Sequence, residues 1–576
     1  MLELRDLSFT INKDGEDVPL IDKASLKVPA GHFMAIVGPS GCGKSTLLKL
    51  IAGINVESEG NLFWNGRDLS TEGDLEPAEI GYVPQFGIAY DQLTVEESIE
   101  SAVRLRVKTR GRQAFHGLVD RVLEQTGLDP LRHRPVRVLS GGQKRRLALA
   151  MELVTDPVLL LADEVTSGLD PKSEEEIVRL MHALSRKHHR IVVNVTHSLA
   201  NLDLYDSVLV LHEGRVVYHG QPRALDHYFS VDEVEDIYPR LSKRSAEAWN
   251  SSWEKHRDDY YQALDSASKA LEVEQEEVDA TVDDSPDLTK SAATPGFIAQ
   301  FFALFFRRCR IFARDGGQLF LQIAILLGFP VLVILFALNG VGETRSLSDR
   351  LPTTLEEYQQ EKEIVEHNLN LGGLVSGLVM FQVILLALMA SNNAAREIAA
   401  ERLIFEKEKL GGVRPSTYLL SKLAFLGMLV VIQSVWMAVF VQNICHIPTV
   451  QFMPQMLLLL LANAAMTSIC LGISSMAKTA DQASLLSIYL VGFQLPLSGA
   501  VLALPSVAGW ITRPFISAYW SWAGIMNSLE GSFRSAVDKV TDTWLAPSWI
   551  CYAVLIVHIV IGLFFAYVGV KKSRWE

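Results

Sequence analysis

Along the chain, the spacing of apolar and polar positions changes character twice. Through the first stretch, to residue 230, short Val/Ile/Leu runs such as "FMAIV" (Phe33 to Val37) and "VLLLADE" (Val158 to Glu164) are separated by Gly turns and helix-like segments. That alternation predicts a soluble α/β domain. From Gln318 onward, charge nearly vanishes for about 20 residues at a time, the length of a helix that crosses a bilayer. Candidate spans lie at Gln318–Asn339, Leu371–Ser391, Leu423–Val441, Leu457–Met476, Ala483–Leu504 and Trp549–Val570, about six by that criterion. The pattern predicts an α/β domain at 1–230, an acidic linker at 231–294, an interfacial connecting helix at 295–317 and an all-α polytopic membrane domain at 318–576.

One charged segment interrupts the apolar half. "REIAAERLIFEKEKL", 396–410, joins the second and third spans and reads as a helix. Arg402 and Glu406 are one turn apart and can pair, and Ile398, Phe405 and Leu410 remain for contact with protein. The segment 396–410 is therefore expected as a coupling helix seated on the α/β domain, with a solvated helical loop as the alternative. Basic residues gather before the first span (Arg307, Arg308, Arg310, Arg314), in this segment and in the terminal "KKSR", whereas "QNICHIPTVQFMP" has neither Lys nor Arg. By the positive-inside rule both termini are cytoplasmic, in an integral multi-pass protein of the plasma (inner) membrane. The outer loop 505–548 has Trp510, Trp520, Trp522 and Trp544 within it and Trp549 beside it, and is expected to dip into the headgroup region.

A net charge of -13 argues against nucleic-acid binding. Much of the acidity sits in "LEVEQEEVDATVDDSPD", which reads as a solvated tether. The cysteines, Cys42, Cys309, Cys445, Cys470 and Cys551, have no metal-ligand spacing and are expected as thiols. Met1 leads directly into a strand-like "LELRDLSFTI", so no signal peptide is expected and the first domain stays in the cytosol.

The chemistry begins at "GPSGCGKST", which follows the apolar "FMAIV" and precedes the helical "LLKLIAG". Glycines at this spacing let backbone N–H groups converge on phosphate oxygens at a helix N-terminus. Gly38, Ser40, Gly41, Cys42, Gly43, Lys44, Ser45 and Thr46 are therefore the expected nucleotide contacts. Lys44 reaches the β/γ-phosphates and the Ser45 hydroxyl binds Mg²⁺. "VLLLADE" ends in two carboxylates: Asp163 for the metal's water shell and Glu164 to polarise the attacking water. "LSGGQ", Leu139, Ser140, Gly141, Gly142 and Gln143, caps a further helix and offers a second anion-binding N-terminus.

With these elements in this order, residues 1–225 resemble the ATP-binding cassette (ABC) ATPases. "VPQF" with Gln85 matches the Q-loop, "SGLD" with Asp170 the D-loop, and "VTHS" with His197 the switch histidine. The resemblance implies an α/β P-loop fold with ATP and Mg²⁺ as cofactors. It places Gln85 with Ser45 and Asp163 at the metal, and His197 beside Glu164 in catalysis. Two cassettes sandwich two ATPs, each site completed by the partner's "LSGGQ". Ile11 stands where many cassettes carry an adenine-stacking aromatic, leaving Phe9 as a weak substitute, and Val165 replaces the proline common after the glutamate.

The cassette precedes the spans, and "ERLIFEKEKLGGVRPSTYLLSKL" follows the second span. This order is similar to the G-subfamily half-transporters, the group of the insect white pigment transporter and the breast cancer resistance protein. The chain is identified as a distant, bacterial-type member, since it reads "LSGGQ" where that subfamily often has Glu after the glycines and lacks outer-loop cysteines. The implied function is ATP-driven export or flipping of a lipid-like or amphipathic substrate by a dimer, either of this chain with itself or with a related half-transporter. The alternative is a membrane-anchored ATPase that transmits force or signal to a partner without cargo. Gln382, Gln433, Asn463 and Gln494 within the spans are expected as interhelical hydrogen-bond partners, and Phe381 and Phe493 as candidate cargo contacts.

Overall fold

The computed structural model describes residues 1–13, 15–73, 75–85, 89–279, 294–337, 355–445, 447, 451–500, 504–529, 531–541 and 543–573. They form two compact units. One contains Met1–Ala303 together with Leu403–Val413, and the other Leu304–Arg402 together with Arg414–Ser573.

The first unit carries two sheets. Strands β1 (Leu2–Lys13), β2 (Glu16–Val28), β4 (Glu59–Trp64) and β5 (Arg67–Asp68) form an antiparallel sheet in the order β2-β1-β4-β5. The second sheet has the order β10-β9-β3-β8-β7-β6, from β3 (Phe33–Val37), β6 (Ile80–Val83), β7 (Leu159–Asp163), β8 (Ile191–Val195), β9 (Ser207–His212) and β10 (Arg215–Gly220). Every residue of β3, β7 and β8 is buried. That explains their unbroken apolar runs, because a parallel sheet covered on both faces has no polar side.

Packing on the cassette core continues past residue 230. Trp249 and Trp253 of the helix Ala246–Asp279 are buried in that core. The Trp249 Nε1–H donates to Leu241 O (3.2 Å), and Asn250 donates to Val216 O (2.8 Å). The acidic tether is therefore helical as far as Asp279, and its remainder lies outside the described residues.

In the second unit, five helical stretches among the described residues are long and apolar enough to cross a membrane. Among its described residues, the proposed span Ala483–Leu504 is helical over Ala480–Gln494, 15 residues. At ~1.5 Å per residue that is about 22 Å, short of a ~30 Å hydrocarbon core. Pro496 and Gly499 (φ +75°) follow its end. The helices Phe452–Met476 and Ser548–Lys572 approach through small residues: a Cβ on Gly562 would fall 2.5 Å from the Ser468 carbonyl carbon.

The polar residues in the spans tie helices together, as expected. Gln322, Asn393 and Gln433 form a closed ring, each amide donating to the next at 2.6, 3.0 and 3.2 Å. Asn463 donates to the Ser434 hydroxyl (3.0 Å), Gln382 to Met437 O (3.3 Å), and Gln494 accepts from Ala518 N–H (3.0 Å). Phe493 is exposed and Phe381 partly buried. Of the interfacial arginines, Arg308 is buried and forms a bidentate pair with Glu397 (2.6 and 2.8 Å), which Lys422 also contacts at 2.9 Å. The outer loop contains the helices Ser506–Thr512, Ser517–Met526 and Gly531–Thr541. Trp510, Trp544 and Trp549 are exposed, whereas Trp520 and Trp522 are buried and donate to Arg513 O and Ser376 Oγ.

Candidate active site

Strand register assembles the site. Ile36 of β3 and Asp163 of β7 both pair with Val195 of β8, so the loops leaving these three parallel strands emerge at one edge. That edge, at the carboxyl ends of the strands, is where open α/β sheets bind ligands. The loop after β3 is the phosphate loop, β7 ends in Asp163-Glu164, and His197 lies two residues beyond β8. Val83 of β6 pairs with Ala162, which brings Gln85 alongside Glu164.

Backbone geometry explains the glycines. Gly43 caps the helix Lys44–Ile51 at φ 102°, in the left-handed region that L side chains avoid. A Cβ on Gly38 would fall 2.2 Å from Leu211 O. Lys44 is buried, and its ammonium folds back to donate to Gly38 O and Pro39 O, both at 2.9 Å. The Ser45 hydroxyl donates to Asp163 Oδ1 (2.8 Å), and the Tyr82 hydroxyl donates to Oδ2 (3.3 Å). Burial raises the Asp163 carboxyl above its ordinary range, the Ser45 bond opposes the rise and the neighbouring Glu164 adds to it.

Glu164 sits at φ 50°, a strained conformation for a non-glycine residue and one that persists where function requires it. Its N–H donates to Val195 O (3.1 Å), which fixes the turn. Gln85 Nε2 donates to one carboxylate oxygen (2.6 Å), and His197 Nε2 lies 2.8 Å from the other. Sequence reasoning assigned Gln85 to the metal; here its amide is on Glu164. Arg145 donates to Gln85 O, and burial lowers its guanidinium pKa while Glu164 opposes the shift. Arg145, two residues past the signature, was not singled out from the sequence.

Ser140 caps the helix Gly141–Leu153 with a reciprocal box to Gln143. Gly141 and Gly142 lie close against Leu169 and Ser173: a Cβ on either would come within 3.3 and 3.4 Å of those side chains. The signature thus packs beside Asp170, which caps the helix Pro171–Ser185 through Ser173 N–H (3.0 Å). Phe9 packs against the core, Ile11 is exposed on β1, and Val165 is fully buried.

These residues fit ATP with Mg²⁺. Gly38 and Gly43 pack too closely on Leu211 and Leu20 to carry a Cβ, which holds the loop in its turn. Lys44 supplies a cation beside it, and Ser45 with Asp163 offers two hard oxygens of the kind Mg²⁺ takes beside substrate phosphates.

The helix expected to seat on the cassette does so through residues that were not legible. The segment Leu403–Val413 folds into the cassette unit. Lys407 Nζ lies 2.9 Å from Glu152 Oε1, and Arg106 donates to Glu152 Oε2 (2.7 Å). All three residues are buried. Burial pushes the Glu152 carboxyl up, but Arg106 and Lys407 outweigh it and hold the group below its usual range. Gln300 donates to both Leu105 O (3.1 Å) and Gly412 O (3.0 Å), and Leu410 packs on the cassette core. Phe405 and Ile398 are buried, as expected. The helix itself begins at Arg402, after a 3₁₀ turn at Ala399–Glu401. Arg402, expected to pair with Glu406, donates to Ser475 O and Ala477 O at 2.7 Å each.

The glycine loop with Lys44 and Ser45, the Asp163-Glu164 pair with Gln85 and His197 on Glu164, and the capped helix Gly141–Leu153 beside Asp170 together have the elements of an ABC-type ATPase domain, here followed by a helical membrane domain. Residues 21–167 match the family model described as ABC transporter, and residues 299–522 match ABC-2 type transporter. The chain is thus an ABC nucleotide-binding domain followed by an ABC-2 type membrane domain. It is similar to an ABC transporter ATP-binding/permease protein of Mycobacterium tuberculosis, 29% identical over 545 residues, 92% of this chain and 58% of the relative. Its cassette is similar to the sulfate/thiosulfate import ATP-binding protein CysA of Mycobacterium bovis, 39% identical over 207 residues, 36% of this chain and 58% of that protein. The chain therefore spans little more than half the length of these relatives. A solved dimeric post-hydrolysis ATP-binding cassette bound to ADP and Pi is 27% identical, with a TM-score of 0.35, over 39% of this chain and 99% of that one.

Proposed function

We propose that the chain is a half-transporter which, paired with a second copy or a related half-transporter, uses ATP hydrolysis to export or flip a lipid-like or amphipathic substrate. The observation that carries this reading is the enclosure of Leu403–Val413 within the cassette unit, with Lys407 on the buried Glu152. A segment lying between two membrane helices in sequence thereby moves with the nucleotide-binding fold. The domain order and this helix favour the G-subfamily arrangement, with both termini cytoplasmic; that arrangement needs a sixth crossing, assigned to the segment from Ala480, whose helix Ala480–Gln494 has 15 residues.

In this mechanism Lys44 leaves Gly38 O and Pro39 O to hold the β/γ-phosphates, and the backbone of residues 38–46 cradles them. Ser45 and Asp163, with Gln85 once it releases Glu164, hold Mg²⁺, which when bound neutralises charge on the phosphoryl oxygens. Glu164 orients the attacking water and takes its proton. His197 contacts the γ-phosphate, and the partner's Ser140, Gly141 and Gly142 close over it. The helix 402–410 transmits this closure. Neutral spans suit an apolar or amphipathic cargo.

The test is nucleotide-dependent association. Glu164→Gln protein with Mg-ATP is expected to be trapped as a dimer by crosslinking between Ser140 of one copy and the phosphate loop of the other, while hydrolysis is lost. A Glu164→Gln protein that binds Mg-ATP yet stays monomeric contradicts the proposal.

A further inference from the structure

Arg513 is half-buried and stands apart from the buried Arg308 and Lys422 of the membrane unit. Arg308 and Lys422 have Glu397 within 2.9 Å, whereas Arg513 forms no ion pair among the described residues. Its Nε is shielded from solvent and has no hydrogen-bond acceptor. The side chain lies against Gly509, where a Cβ would come within 2.9 Å of the guanidinium carbon. Gly499 is also close, its Cβ position 3.8 Å from an Arg513 terminal nitrogen. On another side the guanidinium lies 5.4 Å from the Tyr519 ring centroid. The backbone is pinned, with Trp520 Nε1–H donating to Arg513 O at 2.8 Å. Two glycines and an aromatic face thus make a recess fitted to a guanidinium with no acidic partner among the described residues.

A second, independent observation says what surrounds this recess. Trp510, Phe515, Trp544 and Trp549 are 75%, 73%, 52% and 72% exposed, and Trp510 stacks on Trp544 at 6.3 Å. Exposed tryptophans cluster at headgroup depth in a membrane protein. A half-buried arginine there, with its Nε shielded from water and from any protein acceptor, is best completed by an anion. The abundant anion at that depth is a phosphate, whose geometry matches the guanidinium fork.

We propose that Arg513, seated in the space left by Gly499 and Gly509 and beside the Tyr519 ring, binds the phosphate of an anionic phospholipid headgroup. The depth assignment rests on the membrane arrangement given under Proposed function; the lipid site does not require that the lipid be cargo.

Full-length protein is reconstituted in phosphatidylcholine nanodiscs with a minor share of phosphatidylglycerol, and the lipids retained after extraction are counted by native mass spectrometry. Wild type is expected to retain phosphatidylglycerol over phosphatidylcholine. Arg513→Gln is expected to lower that preference about fivefold, the factor matching ~1 kcal/mol per arginine at an anionic surface. Gly509→Ala, which displaces the guanidinium, is expected to lower it similarly, and Arg513→Lys to keep part of it. Unchanged basal ATPase in these variants shows that they fold and separates this test from the transport reading. Undiminished phosphatidylglycerol retention in Arg513→Gln overturns the proposal. Displacement of the lipid by millimolar inorganic phosphate assigns the site to free phosphate and overturns the lipid assignment.

Discussion

Replacing Lys407 by methionine removes one ammonium from the buried joint and leaves the side chain's length nearly unchanged. In the native protein Glu152 is 2% exposed and is held by Arg106 at 2.7 Å and by Lys407 at 2.9 Å. Removing one partner from a buried charge costs about 3–5 kcal/mol when nothing compensates it. Arg106 remains, so we expect about 3 kcal/mol, roughly a 150-fold shift toward the undocked segment. The assay is amide hydrogen exchange of residues 403–413, which reads the free energy of local opening directly. In Lys407→Met these amides should lose about two orders of magnitude in protection while the strands of the parallel sheet keep theirs. Adding Glu152→Gln should cost much less than it does alone, since contacting residues couple by 0.5–3 kcal/mol, about the size expected here. Wild-type exchange in Lys407→Met, or strict additivity of the two substitutions, refutes the reasoning.

Gly38→Ala should abolish nucleotide binding, because the new methyl carbon would stand 2.2 Å from Leu211 O; fluorescent ATP titration checks this. Ser45→Ala should keep nucleotide binding but lose the Mg²⁺ dependence of hydrolysis, read by a metal titration of phosphate release. His32 and His219 are buried neutral on either side of the Ser207 hydroxyl, and burial brings them down to about 4 and about 3. A base whose folded pKa is depressed lends stability above its unfolded value, ~6.5, and that stability drains as pH falls toward the folded value. Each therefore costs up to about 1.4 kcal/mol per pH unit below pH 6, and His32→Gln should flatten the acid limb of cassette melting between pH 6 and 4.

The chemistry of the cassette was legible because each motif is local. "GPSGCGKST" and "VLLLADE" each specify their own turn, and the parallel register then brings Ser45 to Asp163 and Gln85 to Glu164 without further information. The joint was hidden because its members, Arg106, Glu152 and Lys407, are distant in sequence. Its one sequence signal was Glu152 on the apolar stretch "LALAMELV", a charge that burial must match with a cation. Arg402 read as an i,i+4 partner of Glu406, yet carbonyls at the end of another helix compete for it. At Ala483–Leu504 apolar composition suggested one unbroken helix, but the helix ends at Gln494, just before Pro496, which cannot donate a helical N–H. Beyond residue 230, Trp249 and Trp253 extend the cassette core because large aromatics bury wherever a groove accepts them.

The central claim is that hydrolysis at Glu164 moves cargo only while the helix 402–410 stays seated on the cassette. The most direct measurement is paired ATP hydrolysis and uptake of a labelled amphipath in inverted vesicles, for wild type, Glu164→Gln and Lys407→Met. We predict that wild type does both, that Glu164→Gln does neither, and that Lys407→Met hydrolyses ATP with uptake largely lost. Equal uptake by wild type and Lys407→Met, or hydrolysis by the wild type with no uptake of any lipid or drug offered, contradicts the account.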